Sequence, residues 1–311
     1  MAARFFVAGS TTMIGRALVK RLSAEAGTQL VGVDSEPDLA DAAAVDRFFA
    51  TARPTQVFVV AGRQAGIAGN QKYPADLMLD SLRIAAAVIP AAQRHGTTAL
   101  LYLASSCTYP KLASQPFRPE ALWTGPVEPT SGAYAVAKLA GMTLAEAYRR
   151  QYGVRFVNAI AADAYGPGDD FSPENSHVVG ALVRRVHEAR EASAATVDVW
   201  GTGTPRREFI YVDDLADACL FALRRYDGDQ PINLGTGVTT SVAELANAVR
   251  DVVGYRGDVR FDPSRPDGMP LKGLDSGVLR ALGWAPRWTL PAGLAETYQG
   301  FLRQAPERER A

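Results

Sequence analysis

Cysteine and histidine are scarce here: 311 residues hold two cysteines, Cys107 and Cys219, and three histidines, His95, His177 and His187. Two thiols make no disulfide framework, so the chain must rely on a packed core and suits a reducing compartment, the cytoplasm. Zinc-ligand spacing is not visible among so few candidates, and no metal is expected. An excess of either charge is missing as well, because 33 Lys and Arg face 33 Asp and Glu. With no basic stripe and no polybasic run, neither nucleic acid nor a membrane surface is an expected partner. No apolar run approaches the roughly 18 residues of a membrane span. Met1 to Val7 lead straight into a strand pattern, so no signal peptide is expected. Internal repeats and low-complexity segments are absent, and only Pro306–Ala311 reads as frayed.

What is present is the balance of an ordinary globular protein, 47% hydrophobic and 21% charged, long enough for ample core. Continuous apolar runs at Arg4–Ala8, Gln29–Val33, Gln56–Val60, Ala99–Leu103 and Arg155–Ala161 read as strands. Helical patterns fill the gaps at Ile14–Ala26, Ala43–Thr51, Asp76–Arg94 and Tyr134–Tyr152. Strand then helix, with strands apolar throughout, predicts an α/β fold: a Rossmann-type doubly wound parallel sheet covered on both faces. Beyond Tyr165 the pattern loosens into helices at about Ser176–Arg190, Asp213–Leu223, Val242–Val253 and Ala292–Leu302 between short strands. Residues 1–165 are therefore expected to form a dinucleotide-binding domain. Residues 166–311 are expected to form mainly a smaller α/β substrate lobe over the sheet's carboxyl edge, with some chain free to cross between the two.

Chemistry-bearing residues cluster at the predicted strand ends. Gly9-Ser10-Thr11-Thr12-Met13-Ile14-Gly15 closes the first strand and opens a helix. Gly9 permits a tight turn, Gly15 lets helix and strand pack closely, and the helix start offers amides to a pyrophosphate. The middle glycine of such patterns is Thr12 here, and two glycines also suit a plain strand–helix turn. Asp34 closes the second strand pattern about 20 residues beyond Gly15, where an acid accepts the ribose hydroxyls of NAD; a solvated turn aspartate is the plainer reading. Tyr134 and Lys138 are four apart on one predicted helical face. Lysine beside tyrosine favours the phenolate, letting the phenol trade a proton nearer neutrality than its free pKa of about 10. Among 11 tyrosines such spacing arises by chance, but Ser105 at the fourth strand's end makes a candidate triad able to bind one carbonyl oxygen. Cys107 reads equally as a small buried hydrophobe. His177 reads as a helix-start residue, and nothing internal to the sequence pairs the two.

Together, several segments resemble the GDP-L-fucose synthase subfamily of the extended short-chain dehydrogenase/reductases. They are Ser105–Ala113, Glu128-Pro129-Thr130, Tyr134–Gly141, Tyr165–Asp169, Asn175-Ser176-His177, Trp200–Phe209, Val212–Leu215, Asn233–Gly237 and Arg265–Gly268. The resemblance runs nearly end to end and implies an NAD(P)-dependent epimerase-reductase of nucleotide sugars. Cys107 and His177 are then the base and acid exchanging protons at the carbons flanking a sugar ketone. Tyr134 protonates the carbonyl oxygen, Lys138 grips the nicotinamide ribose and Ser105 orients the carbonyl. Coenzyme contacts are implied at Gly9, Thr11, Thr12, Met13, Ile14 and Gly15, and past the second strand at Asp34, Asp38 and Leu39. Ala61, Gly62, Arg63, Leu103 and Ala104 extend that set, as do Lys138, Ala161, Ala162, Asp163, Ala164 and His177. Substrate contacts are implied at Ser106, Asn175, Arg185, Trp200 and Arg207, with Asp267 and Lys272 on the sugar side. The substrate implied is a GDP-linked 4-keto-6-deoxy hexose, and a homodimer is implied through the helices at Asp76–Arg94 and Tyr134–Tyr152.

The chain also departs from that pattern. The subfamily usually reads NADPH through arginines in the glycine turn and after the second strand. Ser10-Thr11-Thr12 and Asp34 stand there instead, which favours NAD(H) over the NADP(H) the family implies. Ala161-Ala162-Asp163-Ala164 replaces Pro-Thr-Asn-Leu, Arg63-Gln64-Ala65-Gly66 replaces Lys-Val-Gly-Gly, and Met269-Pro270-Leu271-Lys272 replaces Thr-Pro-Arg-Lys. Two other readings follow. One is a redox-neutral NAD-dependent epimerase or dehydrogenase of a different sugar. The other is a coenzyme-binding protein without turnover, against which the joint presence of Ser105, Cys107, Tyr134, Lys138 and His177 argues.

Overall fold

The computed structural model describes residues 3–265 and 267–308; Met1, Ala2, Pro266 and residues 309–311 lie outside the described residues. The first half runs β1 (Ala3–Ala8), α1 (Met13–Ser23), β2 (Thr28–Val31), α2 (Ala42–Ala52), β3 (Gln56–Val59), α3 (Ile67–Lys72), α4 (Pro74–Arg94), β4 (Ala99–Ser105), α5 (Gly132–Tyr152) and β5 (Arg155–Ala161). The second runs β6 (Asp163–Tyr165), α6 (Val178–Glu191), β7 (Thr196–Trp200), β8 (Arg206–Tyr211), α7 (Val212–Arg225), β9 (Ile232–Leu234), β10 (Thr239–Ser241), α8 (Val242–Val253), β11 (Asp258–Asp262), β12 (Leu271–Lys272), α9 (Gly277–Ala281) and α10 (Leu290–Arg308).

Six parallel strands in the order β2-β1-β3-β4-β5-β9 form the main sheet. Its central strands are apolar inside, apart from buried Asn158 on β5, whose Nδ2 donates to Met142 O at 2.9 Å, because helices cover both faces, and Val57, Phe58, Leu100, Leu101 and Ile160 are fully buried. Local chemistry sets the helix ends. Thr12 caps α1 by accepting from Gly15 N, Asp41 caps α2, Ser241 and Glu244 form a reciprocal capping box on α8, and left-handed Gly153 and Gly254 end α5 and α8.

The expected alternation is present, with three differences. The second strand stops at Val31, because Gly32 takes a positive φ of 79° and turns the chain into a bend that carries Asp34. The main sheet gains its sixth strand, β9, from beyond residue 165, and α7 packs against α1. The last helix runs through Arg308, into the tail expected to fray.

The remaining strands form two small sheets: β10-β8-β12 with β6 also on β8, and parallel β7 with β11. Hydrogen bonds tie the segment after β4 both to β9 of the main sheet and to Gly273, just past β12. Tyr109 Oη donates to Asn233 Oδ1 at 2.7 Å, and Asn233 Nδ2 donates to Phe117 O at 2.9 Å. Phe117 N–H donates to Gly273 O at 2.8 Å. The segment that follows Ser105, Ser106 and Cys107 is thus held at Tyr109 and Phe117. Among the described residues, no helix is long and apolar enough to cross a membrane.

Candidate active site

The glycine turn is built for close approach. Gly9 has φ +99°, and a Cβ there would lie 2.7 Å from the Ala61 backbone. A Cβ on Gly15 would lie 1.9 Å from Gly9 O, so the turn closes only with hydrogen at both positions. Ser10 and Ile14 are buried; Met13 and Thr12 are half-buried, and Thr11 is exposed at the helix mouth. Ala61 and Gly62, the latter at φ +120°, continue the floor past β3. Arg63 N–H donates to Asp80 Oδ2 at 2.8 Å, which fixes the backbone beside it. A turn that a Cβ would fill, opening onto a helix start, fits a dinucleotide pyrophosphate.

Glu36 is the acidic side chain that the fold lays on this turn. Its Oε1 accepts from Gly9 N at 2.5 Å and its Oε2 from Ser10 Oγ at 2.8 Å. Asp34 is exposed on the bend two residues earlier. Asp38 accepts from Ala40 N at 2.9 Å, and Leu39 packs against the core. Sequence reading missed Glu36 because two acids in Asp34-Ser35-Glu36 look alike until the strand end is known. Arg16, also missed, spends its guanidinium on Thr11 O and Gly168 O.

Beyond β4, Ser105 caps a short turn by accepting from Cys107 N at 3.4 Å. Ser106 is buried and Cys107 half-buried. Tyr134 and Lys138 share the inward face of α5, with Lys138 Nζ 5.9 Å from the Tyr134 ring centre. Lys138 Nζ donates to Ala61 O and Leu103 O, both at 3.3 Å, so the ends of β3 and β4 grip the ammonium. Burial pushes Lys138 down to about 8, opposed by Asp80. The expected lowering of the phenol is corrected here: burial pushes Tyr134 up, with Cys107 and Tyr102 adding to it, because desolvation outweighs a lysine engaged by carbonyls.

His177 is the N-cap of α6. The segment before it docks on the main domain, where Gly66 N–H donates to Asn175 O at 2.8 Å and Asn175 N–H donates to Ser172 Oγ at 3.3 Å. Burial pushes the His177 imidazole down, with Asp163 opposing and Lys272 adding to the effect. Ala161, Ala162 and Ala164 are small, buried or half-buried residues at the end of β5 and on β6, and Ala162 N–H donates to Leu234 O at 3.0 Å. Asp163 pairs with Lys272, Nζ to Oδ1 2.6 Å. Ser106 Oγ lies 3.5 Å from the same oxygen, and Arg207 also faces the carboxylate.

Farther out, Trp200 is exposed at the end of β7 with the Arg265 guanidinium 5.1 Å over its ring. Asp267 accepts from Thr202 N at 2.6 Å and Thr202 Oγ at 2.8 Å, so it stands with the Trp200 end while Lys272 stands with Asp163. Arg207 faces both Asp163 and Asp267 and links the two groups. Arg185 is partly buried on α6, its guanidinium lowered by burial and by Arg184.

A dinucleotide cradle opening onto a buried Tyr–Lys step is what a pyridine-nucleotide-dependent enzyme acting on a carbonyl requires, and this fold and site define that class. The NAD dependent epimerase/dehydratase family pattern matches residues 5–235. The chain is 45% identical over 309 residues to the GDP-L-fucose synthase of Escherichia coli (strain K12), covering 96% of each chain. Among solved structures, a GDP-6-OMe-4-keto-L-xylo-heptose reductase from C. jejuni superposes with a TM-score of 0.90 at 30% identity, covering 97% of this chain and 98% of that one. A GDP-L-fucose synthetase from Naegleria fowleri bound to NADP gives 0.88 at 25% identity, over 98% and 95%. This chain therefore belongs to the NAD dependent epimerase/dehydratase family and, within it, to the GDP-L-fucose synthase subfamily of the extended short-chain dehydrogenase/reductases. It is an NAD(P)-dependent oxidoreductase/epimerase.

Proposed function

We propose that this enzyme converts GDP-4-keto-6-deoxy-mannose to GDP-L-fucose, by epimerising the two carbons beside the ketone and then reducing it. What supports this reading is the placement of Ser105 at the end of β4, Cys107 two residues beyond it, Tyr134 on the face of α5 that carries Lys138, and His177 at the N-cap of α6, with Lys272 within electrostatic reach of both Cys107 and His177. A ketone acidifies its neighbouring C–H bonds. Cys107 removes such a proton, the electron pair moves onto the ketone oxygen, and His177 returns a proton to the opposite face of the same carbon. When bound, a reduced nicotinamide coenzyme would supply the hydride for the ketone carbon. Tyr134 Oη gives its proton to the ketone oxygen, and its raised pKa keeps that proton in place until negative charge develops there. Ser105 Oγ donates to the same oxygen, and the Lys138 ammonium stabilises the phenolate left behind.

Gly9–Gly15, Ala61, Gly62 and Lys138 would hold the coenzyme. We infer a preference for NADH, supported by the Glu36 carboxylate on the turn, with Asp34 nearby and Arg16 engaged by carbonyls. Incubation with GDP-4-keto-6-deoxy-mannose and either NADH or NADPH is expected to yield GDP-L-fucose, seen by chromatography and NMR. No product with either coenzyme rejects the substrate. Calorimetry is expected to show NADH binding more tightly than NADPH, and Glu36→Gln narrowing that gap by roughly tenfold. Tighter NADPH binding rejects the preference. The same carboxylate favours a second reading, a redox-neutral epimerase that retains NAD. Coenzyme co-purifying with the protein, with product forming without added reductant, would select it.

A further inference from the structure

The reaction outlined above gives Asp163 no step, yet Asp163 sits at its centre. The register explains how it gets there. β6 and β12 both pair with β8 in parallel, Asp163 opposite Phe209 and Lys272 opposite Arg207. Residues two apart on a strand share a face, so Asp163, Arg207 and Lys272 point to the same side. Lys272 Nζ lies 2.6 Å from Asp163 Oδ1, and the two side chains keep only 13% and 27% of their surface exposed. Ser106 Oγ meets the same carboxylate oxygen from the loop after β4.

Charges approach this corner from every element around it. His177, at the head of α6, faces Asp163 from β6, Lys272 from β12 and Asp170 from the preceding loop. Asp163 faces Lys272, Arg207 and His177. Cys107 faces Lys272, Arg207 and Tyr134. Arg207 also faces Glu128 and Asp267. Without Asp163, the imidazole would keep Lys272 beside it and lose the anion that offsets that ammonium.

We propose that Asp163 is a positioning residue that holds Lys272 against β6 and balances its charge beside His177, so that the imidazole can carry the proton it delivers. Only the catalytic consequence rests on the function proposed above; the effect on the imidazole holds for any substrate.

The three imidazole Cε1–H signals of the full chain are followed by NMR against pH, with His177 assigned from a His177→Asn variant. His95 and His187 serve as internal references. In Asp163→Asn the His177 midpoint is expected to fall by about one pH unit. In Lys272→Met it is expected to rise, and in the double variant to return close to the wild-type value. Asp163→Glu, which keeps the charge, is expected to lie above Asp163→Asn and guards against a variant that folds poorly. An unchanged midpoint in a folded Asp163→Asn protein overturns the proposal. So do two single variants shifting in the same direction, or a wild-type His177 that stays neutral down to pH 5. If the titrations behave as expected while GDP-4-keto-6-deoxy-mannose is not turned over, the pair stands and the substrate falls.

Discussion

Lys138 shows how burial sets two demands on one side chain against each other. In the proposed reaction the ammonium must be charged to stabilise a phenolate, yet its enclosure between the ends of β3 and β4 lowers its pKa from 10.5 to about 8. The folded chain then binds fewer protons than the unfolded chain between pH 8 and 10.5, so this residue's contribution to stability rises with pH across that window. Relative to Lys138→Met, the wild type is expected to gain up to roughly 3 kcal/mol from pH 8 to 10.5, measured by urea unfolding at several pH values. A flat difference would mean that the ammonium is solvated in the folded chain. Tyr134 carries the complementary test. Tyr134→Phe is expected to lower the reduction rate by about a hundredfold to ten-thousandfold, while deuterium from solvent still enters the carbons beside the ketone. Loss of both together would tie Tyr134 to proton exchange as well as to reduction.

At the scale of the element, α5 matters because it delivers Tyr134 and Lys138 at one depth over the sheet. Gly141, one turn past Lys138, sets that depth. A Cβ there would fall 2.2 Å from Tyr102 Oη on β4, and Tyr102 is almost fully buried. Gly141→Ala is expected to destabilise the fold by about 1–3 kcal/mol, read by thermal melting. It should also depress turnover beyond what the lost stability explains, since the helix must lift where it carries the pair proposed to be catalytic. Normal turnover in a destabilised variant would show that Tyr102 gives way instead of the helix. The N-terminus of α6 works similarly: the docking of Gly66 on Asn175 O puts His177 at the sheet edge.

At the scale of the molecule, α4 and α5 pack on each other and present Leu79 and Val136, at 47% and 44% exposure, to solvent. We propose that these faces pair two copies of the chain. Sedimentation equilibrium is expected to give a two-chain mass for the wild type and a one-chain mass for Leu79→Glu/Val136→Glu. A monomeric wild type would reject the pairing.

Much of this was legible in the chain itself. Strands buried on both faces must be apolar throughout, so β1, β3, β4 and β5 and the helices between them could be read from the periodicity. Ligand chemistry gathers at carboxyl ends of parallel strands, so Gly9, Ser105 and the residues after Ala161 were placed once the strands were. Contacts between distant segments were not legible, because no local rule encodes them. The pairing of Asp163 with Lys272 joins residues 109 apart. The choice of Glu36 over Asp34 depends on where β2 stops. The crossing of β9 into the main sheet depends on how the lobes pack. The pKa shifts of Tyr134 and Lys138 follow from burial, which exists only in the folded chain. The sequence by itself determined five strands of the main sheet and the candidate reacting groups at their ends; the tertiary structure alone decided which charges come near one another, and so the protons those groups hold.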